Sequence, residues 1–280
     1  MDPRHFSFNS ANMTGSIADR LAAMAEAGFA SATLWPADLF VHFEDPEATI
    51  ARINAGPVAV SAYQCVRDLE GSAEAVKRRK MELARQFIAQ MKLIGCDLLV
   101  LCSNVNDDVD RDWARAVADL QAIGELARSS GVRIAFEPIC YGSWINTYIK
   151  GWELVRDAGH LHVGLVLDAA HVFLPETPLP PIEQIPGDKI FLVELSDFPG
   201  TGLDKRELLR NYRLFPGEGK CPVREFMDRV EATGYSGPLS LEVFNASYRA
   251  AAPLAVARRG MRALEALFGR NSFGGDRDRL

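Results

Sequence analysis

Basic charge is in deficit in this chain. Its 31 lysines and arginines stand against 37 aspartates and glutamates, for a net charge of −6. That balance argues against a nucleic-acid backbone or an anionic membrane as the main partner. Histidine is scarce, with five residues in 280, and none of the five cysteines (Cys65, Cys96, Cys102, Cys140, Cys221) stands in a CxxC pair. Such spacing points to reduced core thiols in a cytoplasmic protein, not to a disulfide frame or a zinc knuckle. No apolar run approaches the roughly 20 residues of a membrane span. The opening Met1-Asp-Pro-Arg-His5 has no apolar stretch long enough for a signal peptide, so the cytoplasm is the expected location. Two phosphate-binding patterns are also missing. The segment after the first apolar run, Asn9-Ser-Ala-Asn-Met-Thr-Gly15, is not GxGxxG, and no Walker A pattern occurs.

What is present is a regular alternation. Short apolar runs at 6–9, 31–34, 58–62, 98–102, 133–137, 164–168, 190–194 and 239–243 read as strands. Helical patterns lie between them near 15–27, 46–54, 72–94, 110–129, 151–158, 180–185, 223–233 and 253–268. Eight strand–helix units predict right-handed βαβ crossovers and a parallel sheet closed into a single (β/α)8 barrel, an α/β fold spanning 1–268. A hydrophobic content of 48% supplies the core such a barrel needs. The longest irregular stretch, 196–222, follows the seventh strand and is expected to fold over the barrel mouth. The polar tail, 269–280, is expected to be disordered.

Four carboxylates end, or nearly end, four of the apolar runs. They are Glu137 in Arg133-Ile-Ala-Phe-Glu137, Asp168 in Val163-Gly-Leu-Val-Leu-Asp168, Glu194 in Ile190-Phe-Leu-Val-Glu194 and Glu242 in Leu239-Ser-Leu-Glu242. One such acid is commonly a helix cap or a solvated loop charge. In a closed barrel, however, the C-terminal strand ends meet at one face, where active sites sit. Four uncompensated carboxylates cannot share a small space, because repulsion and desolvation oppose their ionisation. A divalent cation resolves the conflict, and hard oxygen ligands suit Mn²⁺ or Mg²⁺, with Co²⁺ also accommodated. A divalent ion holding a hydroxyl and an adjacent carbonyl acidifies the neighbouring C–H, which opens isomerisation, epimerisation or dehydration.

Several longer segments resemble the xylose-isomerase-like TIM barrel superfamily, and within it the 3-dehydroshikimate dehydratases most closely. They are Tyr63-Gln-Cys-Val-Arg-Asp-Leu-Glu-Gly71, Leu99-Val-Leu-Cys-Ser-Asn104, Gly164-Leu-Val-Leu-Asp168 with His171, Arg210-Asn-Tyr-Arg-Leu-Phe-Pro-Gly-Glu-Gly219 and Gly237-Pro-Leu-Ser-Leu-Glu-Val-Phe-Asn245. The resemblance runs over 61–267, and the ligand spacings of 31, 26 and 48 residues are similar to that subgroup's. It implies that Glu137, Asp168, Glu194 and Glu242 bind one metal ion and that the chain forms a homo-oligomer. Resemblance to the epimerases implies Glu137 and Glu242 as proton-exchanging groups. His171 is implied as a residue that contacts substrate or orients a ligand.

Three departures fall where substrate should sit. The third ligand, a glutamine in those dehydratases, is Glu194. The family's Trp-Gly-Arg-His is replaced by Tyr141-Gly-Ser-Trp144, without its histidine base, and Ser-Arg-His by Leu209-Arg-Asn211. Loss of that histidine makes an isomerase or epimerase of a keto-sugar, keto-polyol or cyclic hydroxy-ketone the first expectation. The alternative is a lyase, a dehydratase of a dehydroshikimate- or inosose-like substrate. Either takes a small carbohydrate-like or cyclic polyol molecule.

For binding it, Arg67 offers a planar fork to an anion or diol unless Asp68 or Glu70 holds it in an ion pair. Arg213 and Arg210 are expected at the mouth, Gln64 and Asn104 on hydroxyls, and Trp35 and Trp144 as apolar walls. His5, His42, His160 and His162 are read as surface residues.

Overall fold

The computed structural model describes residues 2–40, 45–200, 202 and 204–269. Eight strands close on themselves in chain order, every neighbour parallel. They are β1 (Phe6–Asn9), β2 (Ser31–Leu34), β3 (Ala59–Arg67), β4 (Leu98–Cys102), β5 (Arg133–Glu137), β6 (Val163–Asp168), β7 (Ile190–Leu195) and β8 (Leu239–Leu241). The crossover helices are α1 (Ile17–Ala27), α2 (Pro36–Phe40), α3 (Pro46–Ala55), α4 (Glu74–Leu93), α5 (Trp113–Ser130), α6 (Tyr148–Ala158), α7 (Ala169–Phe173), α8 (Lys205–Asn211), α9 (Val223–Ala232), α10 (Ala246–Arg249) and α11 (Pro253–Phe268). The fold is a single (β/α)8 barrel. No helix among the described residues is long and apolar enough to cross a membrane.

Strand periodicity sorts the residues. In β5 to β8, Ile134, Phe136, Leu165, Leu167, Val193, Leu195, Leu239 and Leu241 pack outward among the helices. Ala135, Val166 and Leu192 join Ala62, Leu98 and Val100 in a separate cluster inside the barrel. Glu137, Asp168, Glu194 and Glu242 share the parity of the inward set, so the pleat aims all four at the barrel axis. Below them the interior is filled unevenly. Bulky Leu98, Val100, Val166, Phe191 and Leu192 come from β4, β6 and β7. The β1, β2, β3 and β8 side is tied by short hydroxyls, with Ser7 Oγ 2.7 Å from Ser61 Oγ and Thr33 Oγ1 3.1 Å from Ser240 Oγ. Gly164 makes room for this filling, since a Cβ there would lie 2.5 Å from the Phe191 ring.

The sequence pattern and the structure differ at several edges. The segment at 180–185 is a 3₁₀ turn, Pro180–Gln184, because Pro180 and Pro181 remove two backbone donors. Strand β3 runs five residues beyond its predicted end and carries Gln64 and Arg67 to the mouth. Strand β8 stops at Leu241, so Glu242 stands one residue past it. Four short helices, α2, α7, α8 and α10, lie below the length at which periodicity is readable. Position 42 and the tail from 270 lie outside the described residues.

Candidate metal centre and active site

Each ligand candidate is delivered by the end of its strand. Glu137 and Asp168 are the last residues of β5 and β6, Glu194 is the penultimate residue of β7, and Glu242 follows β8. Register brings them together, with Asp168 paired to Glu194 across β6 and β7 and Cys102 paired to Glu137 across β4 and β5. One carboxylate oxygen from each of Glu137, Asp168, Glu194 and Glu242 lies within 4.8 Å of the other three. All four residues are buried. Glu137, Asp168 and His171 form a second, overlapping set with the same closeness.

Among the described residues, the one guanidinium that reaches these carboxylates belongs to Arg213. Its Nη1 donates to Asp168 Oδ2 at 3.0 Å and to Glu242 Oε2 at 2.9 Å, while its Nε donates to the Leu209 carbonyl. The loop 196–222 brings it there. Asp197 knots that loop by accepting from the backbone N–H groups of Phe198, Gly217, Gly219 and Cys221. An antiparallel bridge pairs Asp197 with Leu214, next to Arg213. Gly219 is required at the knot, since a Cβ would fall 2.2 Å from the Phe198 carbonyl.

One guanidinium does not balance four buried carboxylates, and the proton affinities record this. Burial, then the charges of Glu242 and Asp168, pushes Glu137 well above the carboxylate range. Burial, then Glu242 and Glu137, does the same to Glu194. Glu242 rises to about 7 through burial, restrained by Arg213. Glu194 Oε2 is buried without a hydrogen-bond partner among the described residues. An orphaned acceptor within an all-oxygen donor set fits a hard divalent cation.

His171 lies beside the cluster, Nε2 3.5 Å from Glu137 Oε1 and 3.6 Å from Asp168 Oδ2. Its Nδ1 accepts from the Cys140 backbone N–H at 3.3 Å. That contact assigns the proton to Nε2, so the ring presents a donor to the carboxylates. Burial holds its pKa down at about 4, which keeps the imidazole neutral.

The pocket over this cluster is walled by Trp35, Ile139, Tyr141 and Phe244, with Gln64, Cys65, Arg67, Cys102 and Arg213 supplying polar groups. Arg67 is half-buried and contacts Cys65 Sγ at 3.5 Å, and no ion pair to a carboxylate involves it among the described residues. Its two neighbouring acids are engaged elsewhere. Asp68 faces Lys80, and Glu70 accepts from the Asn104 backbone.

Three expected substrate contacts stand apart from the pocket lining. The Asn104 amide donates to the Glu70 carbonyl and to Ser72 Oγ, which makes it a brace between the β3 and β4 loops. Trp144 packs edge-on against Trp113, 5.9 Å between centroids. Arg210 is exposed on α8, and its field lowers the proton affinity of Tyr141 against the dominant effect of burial. At the far end of the barrel His160 meets Glu125 and His162 meets the Val132 carbonyl.

The residues that sequence reading passed over are Asn9, Cys65, Cys102, Cys140 and Tyr141. Cys102 Sγ donates to Glu137 Oε2 at 3.0 Å, and Cys65 and Cys102 both line the pocket instead of packing as inert core. Inward strand parity was the available signal for Cys102, whereas Cys65 shares the parity of outward-packed Tyr63 and turns inward at the register irregularity between Tyr63 and Val66.

A family model described as xylose isomerase-like TIM barrel matches residues 21–267. The 3-dehydroshikimate dehydratase of Pseudomonas putida is 35% identical over 258 residues, which cover 92% of this chain and 41% of that protein. An inosose isomerase of Bacillus subtilis is 29% identical over 180 residues, 60% of this chain and 62% of its own. Among solved structures, a xylose isomerase-like TIM barrel/4-hydroxyphenylpyruvate dioxygenase fusion protein superposes with a TM-score of 0.90 at 35% identity, covering 94% of this chain and 42% of the other. The IolI protein with a bound zinc atom gives a TM-score of 0.85 at 17% identity over 97% of this chain and 100% of its own, a likeness of fold. The chain thus spans about two fifths of the length of the dehydratase and of the fusion protein. With a family model matched over most of its length and a 35% identical relative over 92% of it, the chain belongs to the xylose isomerase-like TIM barrel family.

Proposed function

We propose that this chain is a divalent-metal-dependent dehydratase of a carboxylate-bearing cyclic hydroxy-ketone, of the 3-dehydroshikimate type. The observation that carries this reading is Arg67, a cation on the pocket wall with no carboxylate partner among the described residues, facing an all-carboxylate cluster. A guanidinium fork whose contact is a thiol, not a carboxylate, suits a substrate carboxylate better than a neutral ketose. The 35% identical relatives carry the same activity in their names.

Glu137, Asp168, Glu194 and Glu242 would hold the ion, with Mn²⁺ or Mg²⁺ favoured by their hard oxygens. When bound, such an ion polarises a carbonyl and acidifies the adjacent C–H. Arg67 anchors the substrate carboxylate, and Trp35, Tyr141 and Phe244 enclose its ring and exclude water. Glu137 takes the proton, because its oxygens meet a thiol and a neutral imidazole, whereas Glu242 is held by the Asn9 amide and paired with the charged Arg213. The carboxylic acid so formed protonates the departing β-hydroxyl, which leaves as water and restores the carboxylate. His171, neutral, with its Nε2 3.5 Å from Glu137 and 3.6 Å from Asp168, packs against both and limits how they turn.

An isomerase or epimerase of a keto-sugar or inosose shares the first proton abstraction, and inosose isomerases are among the relatives. Its support is the absence of the usual histidine base, set against identities of 25% and 29% to those relatives. A product assay with Mn²⁺-loaded protein separates the two. Ultraviolet absorbance of a conjugated acid from 3-dehydroshikimate is expected. Silence there, with deuterium entering an inosose or ketose from D₂O, would overturn the dehydratase reading in favour of the isomerase.

A further inference from the structure

Three residues, from the ends of β1 and β2 and from within β3, form one hydrogen-bonded chain that terminates on two of the metal-ligand candidates. Trp35 Nε1 donates to Asn9 Oδ1 at 2.8 Å. Asn9 Nδ2 donates to Gln64 Oε1 at 3.1 Å and to Glu242 Oε1 at 3.0 Å. Gln64 Nε2 donates to Glu194 Oε1 at 2.6 Å. Asn9 and Gln64 are both buried.

The chain has a single permitted sense. An indole N–H is only a donor, and the Ala11 backbone N–H, 3.0 Å from Asn9 Oδ1, is another. Between them they fill the acceptor capacity of Asn9 and force its NH₂ toward Gln64 and Glu242. Gln64 must then turn its oxygen to Asn9 and its NH₂ to Glu194. Flipping either amide would set donors against donors. Trp35 is itself held, its backbone N–H donating to Asp38 Oδ2, and Asp38 is paired with Arg20 at 2.8 Å.

We propose that Asn9 and Gln64 are positioning residues: Gln64 engages Glu194 Oε1 so that its Oε2 is left to face a cation, Asn9 fixes Gln64 and holds Glu242 Oε1 while Arg213 takes Glu242 Oε2, and Trp35 is the fixed head of the relay. The proposal rests on the metal-site reading above. Glu194 Oε2, buried and unpartnered, is the atom the relay leaves free. The relay also accounts for a glutamate at 194. Gln64 demands an acceptor there and the ion needs a second one, and a carboxylate supplies both.

Metal affinity measured by calorimetric Mg²⁺ titration tests the relay without reference to turnover. Gln64→Leu and Asn9→Leu should each weaken binding by roughly 10–100-fold, the range for outer partners of metal ligands. Glu194→Gln should weaken it as well. The exchange Gln64→Glu with Glu194→Gln restores a donor–acceptor pair of reversed sense and should recover most of the loss. Trp35→Phe keeps the wall, removes the head donor, and should abolish the Mg²⁺-dependent change in tryptophan emission. Wild-type affinity in Gln64→Leu, or an emission change that persists in Trp35→Phe, would overturn the relay alone. No Mg²⁺ binding by the wild type would overturn the metal site and the relay together. Where a leucine variant fails to fold, the exchange variant and Trp35→Phe still decide the outcome.

Discussion

Arg213 Nη1 lies 2.9 Å from Glu242 Oε2, a buried ion pair in which one partner is also a metal-ligand candidate. The same nitrogen reaches Asp168 Oδ2 at 3.0 Å. The guanidinium therefore serves as partial counter-charge whether or not an ion is bound. Arg213→Met should destabilise the metal-free protein by about 3–5 kcal/mol, the cost of stranding buried charge. Saturating Mg²⁺ should recover part of that loss. Thermal melting with and without Mg²⁺ checks both effects, and equal melting of variant and wild type without metal would contradict the pairing.

Arg67 carries the argument for an acidic substrate. A charge-assisted hydrogen bond is worth about 1.5–3 kcal/mol, roughly 10–100-fold in affinity. Arg67→Met should raise KM for 3-dehydroshikimate by that factor, with kcat changed much less. Steady-state kinetics would contradict the assignment if KM stayed at the wild-type value.

His171 sits against two ligand candidates with a donor, at 3.5 and 3.6 Å. His171→Ala should leave Mg²⁺ affinity within a few-fold of wild type and lower kcat by roughly 10–100-fold, the range for a residue that orients metal ligands. A large loss of affinity instead would make His171 a ligand in place of Glu194 or Glu242, as in the overlapping set.

Glu70 is buried away from the pocket lining, and burial raises its pKa to about 8 from an ordinary 4.5. Below about pH 4.5 both folded and unfolded chains carry the proton, and its stabilising effect is complete. As pH rises toward 8 the unfolded chain loses the proton first, so stability falls across that window and levels off above it. Glu70→Gln should flatten this fall. Melting curves from pH 5 to 8 measure it, and an unchanged slope would show that Glu70 is ionised in the folded protein.

The barrel was legible because its strands are apolar runs of the right length, and seven of the eight helix starts fall within about three residues of their sequence reading. The four carboxylates were legible through strand parity and position. What escaped was determined by contacts between distant strands. Nothing local in Asn9 or Gln64 shows that their amides meet, 55 residues apart. Asn104 reads as a free strand-end amide until Glu70 and Ser72 are seen to take it. The cysteines looked like core because small thiols usually are, yet Cys102 shares the inward parity of Val100 and meets Glu137.

The most direct test is a Mg²⁺ or Mn²⁺ titration followed by thermal melting. Ligand at 100 times its Kd stabilises a folded protein by about 2.7 kcal/mol. The melting temperature of the wild type should rise with either ion, and the rise should vanish in Glu137→Gln and Asp168→Asn. A wild-type melting temperature indifferent to both ions would contradict the metal centre and the chemistry built on it.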